Sequence, residues 1–154
     1  MRIVFMGTPD FAVPSLTALA AKHEVVQVVT RPDAIRGRGK IAEPSAVKIA
    51  AHDLGLPVIE AARMTSDSIE KIIACAPDIL VVVAFGCIIP DELLSSVPLG
   101  GINVHASLLP RLRGAAPIQR AILAGDTLTG VSIMRVVHEL DAGAWCRQSS
   151  CEIG

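Results

Sequence analysis

The sequence has 154 residues, 51% hydrophobic and 19% charged, with a formal net charge of −1. That balance argues against a disordered chain. With a pI of about 6.4 it also lacks the global basic footprint of a nucleic-acid binder, although a local basic patch remains open. The length suits one domain with its own core. Phe5, Phe11, Phe85 and Trp145 are the only aromatic residues, so that core must be built from Val, Ile, Leu and Ala. Cys75, Cys87, Cys146 and Cys151 form no Cys-x-x-Cys pair and have no histidine at zinc-finger spacing, so reduced thiols and no metal are expected. The longest apolar run, Ile79 to Phe85, is too short to span a bilayer. Gly7 to Asp10 interrupts any signal-peptide core. The expected location is the cytoplasm, with no membrane or DNA partner.

Arg2 to Met6 is predicted as a buried strand, Gly7 to Asp10 as a turn, and Phe11 to Ala21 as a helix with Pro9 or Pro14 in its first turn. Val25 to Val29 is a second strand, which completes a β-α-β opening. Gly7 alone lacks the three-glycine dinucleotide fingerprint and reads as a tight strand-to-helix turn. Thr30 to Lys40 is a Pro- and Gly-punctuated loop with four cations, Arg31, Arg36, Arg38 and Lys40. Ala34 and Ile41 stand where a Walker loop needs Gly and Ser or Thr. Two readings remain for this loop: a solvated connection, or a basic segment that grips a phosphate backbone.

Pro44 to Leu54 is predicted as a helix that starts at Pro44 or Ser45 and stops at Gly55. Leu56 to Ile59 is a short third strand, and a helix capped by Thr65 or Ser66 runs to about Ala76. Ile79 to Phe85 is apolar without alternation, as in a strand buried on both faces. Gly86 to Pro90 is either plain connection or an apolar pocket wall. Asp91 to Ser95 is a short helix, and a strand follows from Gly101 towards His105. Ala115 to Ala124 is a helix, Thr129 to Val137 a strand, His138 to Gly143 a turn and Ala144 to Glu152 the last strand. The expected class is α/β, an open, mostly parallel sheet flanked by helices.

The chemistry centres on Asn103 and His105. Residues two apart in a strand point to the same side, and ligands in open α/β sheets bind beyond the carboxyl ends of the strands. An imidazole, with an unperturbed pKa near 6.5, moves protons at working pH. A neutral amide can donate to a developing oxyanion, and Asp141 can orient the ring or order a water. The set suits acyl transfer to an amine without a protein nucleophile. Ser107 lies in no Gly-x-Ser-x-Gly elbow. Against this stands the plain alternative of a structural histidine at a strand end, since Asp141 is 36 residues away and spacing alone does not bring the two together.

Asn103-Val-His105, Ser107-Leu-Leu-Pro110 and Leu140-Asp141-x-Gly143 together resemble the signature of the folate-dependent formyltransferases. The string from Asn103 to Arg120 is similar in particular to the methionyl-tRNA branch of that family. So are Phe5 to Ala12, Gly37-Arg-Gly-Lys40 and Val82 to Pro90. The resemblance covers essentially the whole chain and implies a Rossmann-like fold. It implies catalytic roles for Asn103, His105 and Asp141, and a donor-binding role for Ser107, Leu108, Leu109 and Pro110. Phe85, Gly86 and Ile88 would line the pterin pocket. It further implies 10-formyltetrahydrofolate as donor and the methionyl amino group of initiator tRNA as acceptor. Arg36, Arg38 and Lys40 would approach the tRNA. Alternatives keep the fold but change the acceptor to glycinamide ribonucleotide or an amino sugar, or leave an inactive folate-binding remnant. Val137 and Glu139 stand where the family usually has Asp and Gly. Family members continue beyond the position of Gly154, so residues 1–154 are expected to be a single catalytic domain, incomplete at its C-terminus and without the C-terminal β-barrel that helps bind tRNA.

Overall fold

The computed structural model describes residues 1–35 and 41–154. The cations Arg36, Arg38 and Lys40 lie outside the described residues. The chain divides into two compact units, Met1–Gly100 and Gly101–Gly154. Its fold is α/β, with helices flanking a sheet, as the sequence predicts.

In Met1–Gly100, β1 (Arg2–Gly7), β2 (Glu24–Thr30), β5 (Val58–Glu60) and β6 (Ile79–Val83) are parallel and lie in the order β5-β2-β1-β6. Val4, Phe5, Met6, Val28, Val29, Leu80 and Val83 are fully or almost fully buried. Burying each such side chain stabilises the fold by about 1.5–3 kcal/mol. α1 (Val13–Ala20) packs on α2 (Ala46–Asp53), and α3 (Ser66–Ala74) on α4 (Asp91–Ser96). The path β1-β2-β5 runs outwards, whereas β6 returns to the other side of β1. Right-handed crossovers therefore set α3 on the face opposite α1 and α2. The reversal between β1 and β6 is a topological switch point, the usual ligand crevice of an open α/β sheet.

Local chemistry sets most element limits. Ser45 caps α2 by accepting from Lys48 N at 3.0 Å, and Thr65 and Ser68 form a reciprocal capping box on α3. α3 ends at Ala74, short of the predicted Ala76, because Ala76 turns to φ 47° before Pro77. β6 stops at Val83 because Ala84 also has φ 47°, and the predicted helix from Phe11 opens as a 3₁₀ turn, Asp10–Ala12. A Cβ on Gly7 would meet the Phe5 ring and Val83 O at 2.9 Å, so only glycine fits that turn. The stretch predicted as loop contains β3 (Ala34–Ile35), which pairs antiparallel with β4 (Ala42–Glu43). Two-residue exposed strands carry no periodicity for a sequence reading to detect.

In Gly101–Gly154, β7 (Gly101–His105), β8 (Leu128–Arg135) and β9 (Trp145–Glu152) form antiparallel pairs. β8 alternates, with Gly130, Ser132 and Met134 buried, the period-two pattern of a strand with one covered face. α5 (Pro117–Leu123) starts two residues later than predicted, because Ala116 is left-handed at φ 53° and Pro117 fills the first helical position. Among the described residues no helix is long and apolar enough to cross a membrane.

Candidate functional site

His105 is the last residue of β7, and its ring is almost fully buried. Its Nδ1 faces Asp141 Oδ2 at 3.5 Å, and its Nε2 lies 2.9 Å from the Leu112 carbonyl oxygen. A carbonyl oxygen only accepts, so Nε2 carries a hydrogen. In the neutral ring Nδ1 is then the nitrogen without a hydrogen, and it faces a carboxylate. The two residues that spacing alone could not join are thus in contact.

Asp141 reaches this place through a turn in which Ala142 N donates to Glu139 O at 3.3 Å. Asp141 itself is left-handed at φ 49°, a conformation that Asp tolerates better than most residues. Its Oδ2 also accepts from Gly114 N at 2.8 Å. A Cβ on Gly143 would collide with the Arg135 carbonyl, while Arg135 N donates to Ala144 O at 2.9 Å. The Leu-Asp-x-Gly pattern therefore has a backbone reason: Asp in the left-handed turn, Gly where two strands close. The turn forms with the exposed Val137 and Glu139 in place. Asn103 lies two residues before His105 on the same face of β7, a step of about 6.7 Å along a strand. Its side-chain amide makes no hydrogen bond among the described residues and is half-buried.

The segment from Ser107 to Gly114 has no regular structure, yet side chains hold its backbone. Ser107 Oγ donates to Arg111 O at 2.7 Å, Gln148 Nε2 to Leu109 O at 2.9 Å, and Arg120 Nη1 to Arg113 O at 2.9 Å. Ser132 Oγ donates to Ser107 O at 2.7 Å and accepts from Leu109 N at 3.0 Å. Of the predicted donor-binding residues, Ser107 and Leu109 are buried and engaged internally, whereas Leu108 is half-buried and Pro110 is exposed. Leu112, Gly114, Ser132 and Gln148 are not candidates on sequence grounds. The one signal is a small polar residue, Ser132, at an inward position of an alternating strand.

A cavity of about 450 Å³ opens beside this segment, lined by Leu108, Arg111, Leu112, Asp126 and Thr129 among others. Arg111 Nη1 and Nη2 donate to the two carboxylate oxygens of Asp126, and the carboxylate holds the Arg111 pKa above its ordinary value. None of Asn103, His105 and Asp141 lines that cavity.

Phe85, Gly86 and Ile88 follow β6 at the switch point of Met1–Gly100. Thr8 Oγ1 donates to Phe85 O at 2.9 Å, Arg31 Nη1 to Gly86 O at 2.8 Å, and Cys87 Sγ to Ala62 O at 3.1 Å. The loop is thereby tied to the residues that follow β1, β2 and β5. Phe85 is buried, Gly86 is left-handed at φ 84°, and Ile88 is 84% exposed. Ile88 is therefore the member of the predicted set that offers an apolar surface. Among the described residues, no three His, Cys, Asp or Glu side chains group to hold a metal.

Comparison with known proteins gives one consistent family. The family model described as formyl transferase matches residues 1–154. The chain is 54% identical over 143 residues to the methionyl-tRNA formyltransferase of Leifsonia xyli subsp. xyli, covering 93% of this chain and 47% of that protein. It is 53% identical over 156 residues to the protein of the same name from Methylococcus capsulatus, covering 100% and 51%. The chain thus spans about half the length of the curated relatives it matches. Among solved structures it is similar to phosphoribosylglycinamide formyltransferase from Anaplasma phagocytophilum, with a TM-score of 0.79 at 21% identity, covering 99% of this chain and 72% of that one. It is also similar to a formyltetrahydrofolate deformylase from Pseudomonas syringae pv. tomato, with a TM-score of 0.76 at 20% identity, covering 99% and 51%.

Proposed function

The chain belongs to the formyl transferase family, and from that membership we propose that it serves transfer of a formyl group from 10-formyltetrahydrofolate to the methionyl amino group of initiator tRNA. The observation that carries this reading is the meeting of His105 and Asp141 at 3.5 Å, with the unengaged amide of Asn103 on the same strand face. Full-chain identity above 50% to proteins named methionyl-tRNA formyltransferase supports the acceptor. The glycinamide ribonucleotide alternative rests on structural neighbours at about 21% identity, a likeness that shows the fold alone.

The roles follow from the atoms. The Asn103 amide donates to the formyl oxygen as negative charge gathers there. As the acceptor nitrogen bonds to the formyl carbon, it loses a proton, which His105 Nδ1 takes up. Asp141 balances the imidazolium so formed. The same proton passes to the departing nitrogen as the old carbon–nitrogen bond breaks, and the ring returns to neutral. General acid–base help of this kind is worth about 10²–10⁴ in rate. We assign the Ser107–Pro110 segment and the Phe85, Gly86 and Ile88 loop to the donor. In Gly101–Gly154, Pro110 and Leu108 supply apolar surface suited to a flat heteroaromatic ring, and Ser107 and Leu109 hold the segment's shape; in Met1–Gly100, Ile88 supplies apolar surface by itself. Arg36, Arg38 and Lys40 are assigned to tRNA phosphates. Residues 1–154 are read as belonging to the catalytic domain, and the cytoplasm as its place of work.

The test is single-turnover formylation of charged initiator tRNA. His105→Ala is expected to cut the rate by about 10²–10⁴, and Asn103→Ala by about 10²–10³, with the melting temperature little changed. Undiminished turnover by His105→Ala would remove the catalytic assignment.

A further inference from the structure

We propose that Ser132 and Gln148 are positioning residues for His105, acting through the backbone of Ser107 to Leu112. The proposal relies on the formyl-transfer reading only for its activity measurement.

The three residues form one row across three strands. His105 on β7 is directly opposite Ser132 on β8, and Ser132 is directly opposite Gln148 on β9. Opposed residues share a sheet face, so the row presents an imidazole, a hydroxyl and an amide side by side. The Ser132 side chain is fully buried. A hydroxyl has one hydrogen to donate and two lone pairs to accept with, and here all are used. Ser132 Oγ donates to Ser107 O at 2.7 Å and accepts from Leu109 N at 3.0 Å and from Gln148 Nε2 at 2.8 Å. Gln148 Nε2 also donates to Leu109 O at 2.9 Å. Two backbone carbonyls and one amide of the loop are thereby fixed to the strands.

The clamp continues to the histidine. Ser107 Oγ donates to Arg111 O at 2.7 Å and leans towards Leu112 O at 3.4 Å. Leu112 O is the acceptor for His105 Nε2 at 2.9 Å. That carbonyl decides which ring nitrogen keeps its hydrogen, and hence that Nδ1 is the one turned to Asp141. A row of apolar side chains could hold three strands together equally well. A fully satisfied polar row at this depth instead fixes one loop conformation, because every member loses a partner if the loop shifts. The row therefore sets the tautomer and aim of His105 as well as the strand packing.

The experiment is long-range ¹⁵N–¹H NMR of the histidine side chains, with the His105 signal identified by its loss in His105→Ala, alongside single-turnover formylation. The variants are Ser132→Ala, Ser132→Thr and Gln148→Met. In the unaltered protein His105 should show the pattern of a ring protonated at Nε2. Ser132→Ala and Gln148→Met should replace it with an average over both tautomers. The formylation rate should fall by up to about 100-fold in Ser132→Ala, the scale of an ångström's misplacement. Acceptor KM should move little, since neither Ser132 nor Gln148 is assigned to acceptor binding. Ser132→Thr keeps the hydroxyl, suits a strand, and should restore both signals. Gln148 is half-buried, so Gln148→Met decides the matter even if Ser132→Ala does not fold. An unchanged His105 pattern in the folded variants overturns the proposal. A wild-type protein that forms no formyl product overturns the activity reading instead, and the NMR arm still decides whether the row orients His105.

Discussion

The two units of this chain bury different things. In Met1–Gly100 the interior is mainly apolar: strands β1, β2 and β6 contribute Ile3 to Met6, Val28, Val29 and Leu80 to Val83, and the buried polar residues Gln27, Thr30, Ser45 and Ser68 are far outnumbered by apolar ones. In Gly101–Gly154 the buried apolar side chains are Leu109, Ala121 and Met134, and they are matched by three buried polar ones, His105, Ser107 and Ser132. One unit is stabilised chiefly by area removed from water, which is non-directional. The other depends on hydrogen bonds, which fix atoms at particular distances and orientations. The consequence is that damage to the first should appear as lost stability, and damage to the second as lost chemistry.

Phe5→Ala is the sharpest break on the apolar side. Phe5 is fully buried in the strand that pairs with both β2 and β6, and removing such a ring costs about 3–5 kcal/mol. Chemical denaturation should report that loss, while single-turnover formylation well below the midpoint stays within a few-fold of wild type. Asp141→Asn is the counterpart in Gly101–Gly154. The asparagine oxygen can still accept from Gly114 N, so the turn should hold and the melting temperature should move little. It cannot balance an imidazolium, and the rate should fall by about 10²-fold, within the range of lost acid–base assistance. A stability loss for Asp141→Asn as large as that of Phe5→Ala would erase the contrast.

The same division explains what the sequence can tell. Runs such as Ile79 to Val83 announce themselves, because a strand buried on both faces needs apolar residues at every position. Caps such as Ser45 and Thr65 are equally plain, since their chemistry is local. The sequence overruns the ends of β6 and α3 by two residues because Ala84 and Ala76 take left-handed conformations that nothing in an alanine side chain advertises. The hairpin of β3 and β4 escapes a sequence reading for want of length. At the site, Asn103, His105 and Asp141 stand out as chemical types, yet only folding brings the last two to 3.5 Å. Ser132 and Gln148 are illegible for a stricter reason. Their meaning lies in a register between β8 and β9, 16 residues apart, and a register does not appear in composition or spacing.

The basic segment tests whether binding of the acceptor is separable from both kinds of burial. Replacing Arg36, Arg38 and Lys40 together with Gln should weaken tRNA use by about tenfold or more at moderate salt. The slope of log affinity against log salt should become shallower by about 0.7–0.9 for each phosphate no longer neutralised. Donor binding, measured by fluorescence titration with a folate analogue, should be unaffected, as should the melting temperature. A parallel loss of donor affinity would assign this segment to the folate instead.

The smallest effect is expected where charge lies near the surface of the mainly apolar unit. Lys48 Nζ contacts Asp33 Oδ1 at 2.7 Å and Glu60 Oε1 at 2.9 Å, just before β3 and at the end of β5. The Lys48 ammonium holds the Asp33 carboxyl below its ordinary pKa, and the hydrogen bonds to Asp33 and Glu60 raise that of Lys48. The signs then set the pH window. A depressed carboxyl contributes stability above its unfolded value, about 3.9, and loses it as pH falls through the folded one. A raised ammonium contributes below its unfolded value, about 10.4, and loses it as pH rises through the folded one. Lys48→Met should therefore lower the melting temperature by a constant amount from about pH 5 to 9, with the gap narrowing at both extremes. With Asp33 and Glu60 side chains 35% and 38% exposed, solvent and salt screen the group, and raising ionic strength should shrink the difference. A gap that instead stays the same down to low pH would mean that the lysine's aliphatic stem, rather than its charge, carries the contribution.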